Sequence, residues 1–471
     1  MTVSAPLIWI VAPVAAALLL LLLSRWPRLI SGLGAALAAS LALLAWRLPV
    51  GEIIELAGRS FTIEPALVFF GRRLELLPAQ LPLLALIYLA AAFWLGGTYA
   101  AHTRPLAVPL GLTVVALLTA ALAVQPFLYA ALLIEMAVLA CVPLLTDPQS
   151  PPGRGVLRFI TFQTFGMPFI LFTGNLLAGI ESNPGDPILS LRVGMLMGLG
   201  FGFLLALFPF HSWLPLLGEE SHPYVAAFVF VFLPQMVLLF GLEFLERYAW
   251  MRSLPVLFTA LRWVALLMIL FGGMLAAFQA HLGRLLGYAA MLEIGFSLYA
   301  LALLPTSPNA LALHFALLPG RLIAFLLAAL ALATLRAYTP HGALTLPALQ
   351  GLGWRCPLAA GGLLLALFSL AGLPVLASFA PRFGLIALGM ATNPLAALAA
   401  LSGGMGILFT ALRTLMALFA RSDVEAPPAE TPGQAFFLFG GGALLVFLGL
   451  FLPRLVPWFA SLAAAFAHLA Q

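Results

Sequence analysis

Lysine is missing from this chain: every one of its 21 basic residues is an arginine. Arginine keeps its proton up to a pKa above about 12, so the chain lacks the basic side chain best suited to giving up a proton inside a membrane. Cysteine is nearly as scarce. Cys141 and Cys356 stand in no CxxC or metal-like spacing, which argues against disulfide, zinc, haem and iron–sulfur roles. Charged residues make up only 8% of the sequence, far below what a soluble surface of this size carries. No Walker loop, dinucleotide fingerprint, HExxH pair or nucleophile elbow occurs, so no catalytic residue, cofactor site or metal site is assigned.

What is present is apolar. Hydrophobic residues reach 63% and the mean hydropathy is +1.13. Long apolar runs recur along the whole chain, each near the roughly 20 residues that cross a bilayer as helix. The runs are continuous rather than alternating, which favours helices over a barrel. The formal charge of +5 and pI near 9.6 would suggest nucleic acid in a soluble protein. Here the arginines stand singly between apolar runs and read as headgroup anchors, so no nucleic-acid partner is expected. The first run, Ala5 to Ser24, has no basic residue before it and no clear cleavage site after it, and reads as a retained helix rather than a signal peptide.

The fold class expected is all-α, a polytopic membrane protein of about fourteen spans. Their centres fall near Ala15, Ala38, Ile87, Val114, Leu133, Leu171, Phe203, Val231, Leu266, Ile294, Leu326, Ala366, Leu401 and Phe447. Loops at Thr146-Asp147-Pro148 and Glu181-Ser182-Asn183-Pro184-Gly185 end the fifth and sixth. Polar intervals lie at Arg47–Arg73, which reads as a short extramembrane cap or hairpin, at Arg336–Arg355 and at Arg421–Gly433. Arginines divide almost evenly between the two faces, so charge leans only weakly toward an outside amino terminus. Two spans carry prolines: one through Pro209-Phe210-His211 to Pro215, the other through Gly372-Leu373-Pro374 to Pro381-Arg382. Proline removes a backbone donor, so both helices should break inside the membrane. Paired breaks about 165 residues apart suggest two structural repeats, the arrangement in which transporters hold ion sites; two ordinary kinks are the alternative.

Intramembrane polar residues are the candidate machinery. Glu135 lies deep in an apolar run, and His211 follows a proline at the first break. Glu219, Glu220 and His222 sit at a boundary. Glu293 lies about 13 Å along its helix from Arg284. His314 and Arg321, seven positions apart, share a helix face, and Arg382 marks the second break. Glu293, His314, Arg321 and Arg382 read as one polar line, although buried structural ion pairs would look the same in sequence. Glu243, Glu246, Arg247, Arg262 and Arg413 read as anchors.

The stretch Pro209-Phe210-His211-Ser212-Trp213-Leu214-Pro215, with Glu219-Glu220-Ser221-His222-Pro223 after it, resembles the PFHxWLP signature of antiporter-like membrane subunits. These are the proton-pumping subunits of complex I and their relatives in Mrp antiporters and membrane-bound hydrogenases. Gln279 to Gly295 is similar to that family's Q-x-x-x-K-R-x-L-A-Y helix, and Gly372-Leu373-Pro374 to its G-L-P-P break. The resemblance implies two inverted five-helix repeats with broken helices, at 101–245 and 255–420. Flanking helices would occupy 1–100, with the polar loop at 47–73, and a loop and helix 421–471. It matches the family's fifth-helix glutamate to Glu135, its tenth-helix polar position to Glu293, its eleventh-helix histidine to His314 with Arg321 nearby, and its twelfth-helix lysine or glutamate to Arg382. The two central lysines fall on Leu204 and Pro234.

The function so implied is that of a membrane subunit in a complex-I-like, NADH–quinone oxidoreductase type assembly of a prokaryotic inner membrane. Its partners would be other membrane subunits and, through them, hydrophilic redox subunits. Protons would pass through the second repeat only; the candidate pathway residues over the whole chain are Glu135, His211, His222, Glu293, His314 and Arg321, with Arg382 as a fixed charge. The alternatives are a non-conducting scaffold, or a membrane subunit of a hydrogenase, Mrp-type antiporter or inorganic-carbon-uptake complex.

Overall fold

The computed structural model describes residues 2–56, 59–69, 71–147, 151–182, 187–421 and 430–469. The loop positions read from sequence at Pro148, at Asn183-Pro184-Gly185 and across 422–429 lie outside the described residues. Near the amino terminus come α1 (Ala12–Leu22), α2 (Pro27–Arg47) and α3 (Leu81–Gly97). A first five-helix group follows: α4 (Ala107–Ala123), α5 (Ala130–Leu145), α6 (Arg154–Ser182), the broken pair α7 (Pro187–Leu204) and α8 (Trp213–Glu220), and α9 (Pro223–Arg247). The short α10 (Ala249–Arg252) leads to a second group. That group holds α11 (Pro255–Ala277), α12 (Leu282–Ala302), α13 (Asn309–Arg336), the short α14 (Leu352–Arg355), the broken pair α15 (Pro357–Ala371) and α16 (Phe379–Thr392), and α17 (Pro394–Leu418). The last helix is α18 (Pro432–Ala463). Among the described residues, ten helices are long and apolar enough to cross a membrane unaided. The protein is an integral membrane protein of mostly helical fold.

Local chemistry sets the ends. Proline opens α2, α9, α11, α15, α17 and α18, where its missing N–H would be unpaired in any case. Asn393 caps α17 by accepting from the Ala396 N–H at 3.1 Å. Histidines cap two helices through Nδ1: His222 accepts from Tyr224 N–H at 3.3 Å, and His281 from Gly283 N–H at 3.2 Å. The polar interval at 47–73 holds the short strands β2 (Ile53–Leu56) and β3 (Arg59–Glu64), which pair with β1 (Thr2–Ser4) from the amino terminus in the order β1-β3-β2. A second sheet joins β4 (Ala66–Phe69), β5 (Arg72–Glu75) and β6 (Val124–Gln125).

The breaks share one design. After α7 the backbone turns at Ala206 (φ 53°) and passes Pro209 before α8 resumes. After α15 it turns at Gly372 (φ 84°) and Val375 (φ 72°), passing Pro374 before α16. Pro215 and Pro381 follow, each third in the resumed helix, where a proline costs no intrahelical bond. The seventh span, centred from sequence at Phe203, instead ends one residue on, because apolarity runs straight through the break.

Burial decides where a site can lie. The best window of α12 is 94% buried, that of α13 89% and that of α9 83%, against 28% for α18 and 33% for α6. The centre is therefore α9, α12 and α13, with α6 and α18 at the periphery. Glycine allows the closest approach: a Cβ on Gly273 of α11 would strike the Gly403 carbonyl of α17, and one on Gly406 the Gly273 carbonyl. Gly273→Leu should therefore lower the melting temperature of the solubilised protein, at a cost of about 2 kcal/mol or more. Gly440→Ala, in open space on α18, should be neutral or gain up to about 1 kcal/mol.

Candidate functional site

The second group places three charges together at its core. Glu293 on α12 is 2% exposed, Arg321 on α13 5% and Arg382 on α16 4%. Arg321 donates from Nε to Glu293 Oε2 at 2.9 Å and from Nη2 to the Glu293 carbonyl at 2.8 Å. Arg382 Nη2 donates to the other carboxylate oxygen, Oε1. One carboxylate thus serves two guanidiniums, and the cluster carries a net positive charge. The break supplies part of the compensation. Because α15 ends at Gly372, the Leu370 carbonyl has no helical partner. Arg382 Nη1 donates to it at 2.5 Å, at the negative end of the helix dipole. The Phe296 ring, 4.7 Å from the guanidinium carbon, adds a cation–π contact. Arg382 Nε has no partner among the described residues.

His314 is fully buried two turns before Arg321 on α13. Its Nε2 lies 3.3 Å from the side-chain nitrogen of Gln235 on α9, and its Nδ1 has no partner among the described residues. Gln235 was not a sequence candidate, although it directly follows Pro234. A cavity of about 50 Å³ between α3, α9 and α13 touches Gln235 and Arg321, with Leu83, Leu86, Leu318 and Leu322 as walls. So Glu293, Arg321 and Arg382 meet directly, and His314 joins Gln235 instead.

The first group is built differently. Glu135 on α5 lies half-buried against α6, accepting from Thr164 Oγ1 at 2.6 Å, while its Oε2 has no partner among the described residues. Leu204 is 2% exposed, and its carbonyl accepts from Gln163 Nε2 at 3.1 Å. Pro234 is buried within α9. Aromatic rings fill the space around them: Phe203 lies 4.2 Å from Phe210, and Phe228 4.0 Å from Trp94, measured between centroids. His211 stacks on Phe208 at 5.4 Å, and its Nδ1 has no partner among the described residues. Gln163, like Gln235, is an amide that charge-based reading passed over.

At the mouth of α9, His222 borders a polar cavity of about 660 Å³ with His102, Arg104, Asp147, Glu220 and Arg336. Its Nδ1 accepts from the Tyr224 N–H and so caps α9. Burial, helped by Arg336 and His102, pushes its pKa down to about 4. The neighbouring acids bridge helices: Glu219 pairs with Arg284 at 2.6 Å and Glu220 accepts from the Gly155 N–H at 2.6 Å. Among the described residues no three His, Cys, Asp or Glu side chains converge to hold a metal.

The family described as NADH:quinone oxidoreductase/Mrp antiporter, TM matches residues 172–410. NADH-quinone oxidoreductase subunit N of Chromohalobacter salexigens is 31% identical over 316 residues, covering 63% of this chain and 64% of that protein. The match therefore spans just under two thirds of the relative's length. A chain of the membrane-bound sulfane sulfur reductase, an archaeal respiratory membrane complex, superposes with a TM-score of 0.83 at 15% identity, over 99% of both chains. A chain of respiratory complex I from Thermus thermophilus with bound NADH gives 0.75 at 23% identity, also over 99% of both.

The lowered pKa of His222 has a defined consequence. The neutral ring caps α9, so its contribution is full above the unfolded value of 6.5 and is lost as pH falls through about 4. The melting temperature of the solubilised protein should drop between those values, and His222→Asn, which caps without titrating, should flatten the drop.

Proposed function

Because the chain belongs to the NADH:quinone oxidoreductase/Mrp antiporter family of membrane subunits, we propose that it is a membrane subunit of a complex-I-like assembly in a bacterial cell membrane. Other membrane subunits flank it, and hydrophilic redox subunits drive it from a distance. Its repeats occupy 101–245 and 255–420, and protons pass through the second. The observation that carries this reading is the buried Arg321–Glu293–Arg382 triad beside the second helix break. The first repeat offers Leu204, Pro234 and stacked aromatic rings at the corresponding depth.

Glu293 and His314 are the groups in this line that exchange protons; the arginines are fixed charges. A proton on Glu293 leaves two guanidiniums facing each other across a neutral carboxyl, so it can rest there only while one of them moves away. Arg382 is free to do so, because it rides on α16 beyond the break. A partner that shifts α16 would thereby load and unload Glu293. The rival reading, a non-conducting scaffold, draws on the absence of lysine and the apolar first repeat.

Pumping by the intact complex in reconstituted vesicles separates the two. Glu293→Gln and Arg382→Ala should each lower the protons moved per electron; an unchanged ratio in both, with the complex assembled, makes the chain a scaffold. Stability should respond unequally. Glu293→Gln leaves two unpaired buried cations and should cost about 3–5 kcal/mol. Arg382→Ala leaves a neutral Glu293–Arg321 pair and should cost less.

A further inference from the structure

The two glutamates at the end of α9 read alike in sequence, and the structure separates them. Glu246 is engaged at the surface: its carboxylate accepts from the His468 N–H at 3.0 and 3.1 Å. Glu243, about one turn earlier, stands 3.6 Å from Arg247, and its side chain is 16% exposed against 39% for the arginine. A headgroup anchor would extend outward, as Arg247 does. Glu243 instead lines a cavity of about 10 Å³ inside the bundle. Leu76, directly after β5, and Gln80, directly before α3, share its walls, so it lies at the end of the bundle that carries the second sheet.

The cavity of about 50 Å³ between α3, α9 and α13 comes next along the same seam, and Leu83 lines both. The walls of the larger one include Arg321, which holds Glu293, and Gln235, which holds His314. Both proton-exchanging groups of the second repeat are thus one contact away from it. Gln235 Oε1 has no partner among the described residues, so this wall offers an acceptor to water. Gln235, Leu239 and Glu243 follow at intervals of four and share one face of α9. At a rise of 1.5 Å per residue the first and last are about 12 Å apart. One water occupies about 10–15 Å³, so the larger cavity takes a few and the smaller about one.

From this we infer that the second-repeat cluster communicates with the strand-bearing face of the membrane along this seam, through water in the two cavities, and that Glu243 is the carboxylate at its outer end. The inference rests on the reading that protons pass through the second repeat. Glu243 takes a proton from cavity water and gives it to solvent, returning to carboxylate, so nothing else is consumed. Leu83 and Leu239 form the apolar throat between the cavities. The flanking helix α3, outside both repeats, is then one wall of the route.

The test uses the assembled complex in vesicles, reading protons per electron beside the electron-transfer rate. Glu243→Gln should lower protons per electron as far as Glu293→Gln does, with electron transfer and assembly kept, and Glu243→Asp should retain pumping. Leu83→Phe, which fills the throat without altering an ionisable group, should lower the ratio equally. Glu246→Gln should pump as the unaltered complex does. Normal pumping by Glu243→Gln overturns the route, and so does an equal loss in Glu246→Gln, which would make charge at the helix end the cause. If Glu243→Gln fails to assemble, Leu83→Phe decides alone, and normal pumping by it overturns the route. Should Glu293→Gln itself pump normally, the second-repeat reading falls; should Glu293→Gln fail while Glu243→Gln pumps, only the route along α9 falls.

Discussion

Everything central to this molecule is arranged around the carboxylate of Glu293 and the two guanidiniums it holds. Desolvating three charges is costly, and their mutual attraction repays it only when the remaining donors find partners. That condition explains features that would otherwise look unrelated. Arg382 needs an acceptor on its far side, and the interrupted end of α15 provides the Leu370 carbonyl. Arg321 needs a second acceptor, and the Glu293 carbonyl provides it. The depth of burial of α12 and α13 follows, because exposure of this cluster to lipid would leave it without dielectric relief.

The two five-helix groups show what becomes of one plan under different side chains. Each has a glutamate on its second helix, Glu135 or Glu293, and a broken fourth helix with proline third in the resumed half. In the second group the residue after that proline is Arg382; in the first it is Leu216. Opposite the glutamate stands Arg321 in one case and Thr164 in the other. Without guanidiniums to attract it, Glu135 settles for a hydroxyl at a half-buried surface. The charge is what distinguishes the groups, and the backbone has stayed.

Much of this was legible from residues alone, for identifiable reasons. Prolines at Pro209 and Pro374 announce breaks because a missing N–H cannot be hidden in a helix. Glu293, Arg321 and Arg382 announce themselves because charge is rare at that depth. The partnership among them, separated by 28 and 89 positions, is tertiary and has no local signature. Gln163 and Gln235 escaped notice because neutral amides carry little apparent penalty, although Gln163 is buried against the Leu204 carbonyl and Gln235 half-buried against His314. The outward set of Glu135 was unreadable for another reason: a helix apolar on all sides has no face to orient it. His222, read as a relay candidate, is found holding a helix end, a role that its place directly before Pro223 foreshadows.

The net charge of the triad has an electrical consequence. A permanent cation near the middle of a bilayer stands within the field that an energised membrane maintains, and a full crossing of one charge exchanges about 2.3 kcal/mol with each 100 mV. Arg382 travels with α16, so tilting that half-helix by even a fraction of the membrane's thickness makes its resting position depend on voltage. The position of that half-helix would then respond to the voltage across the bilayer, with the field acting on the arginine itself.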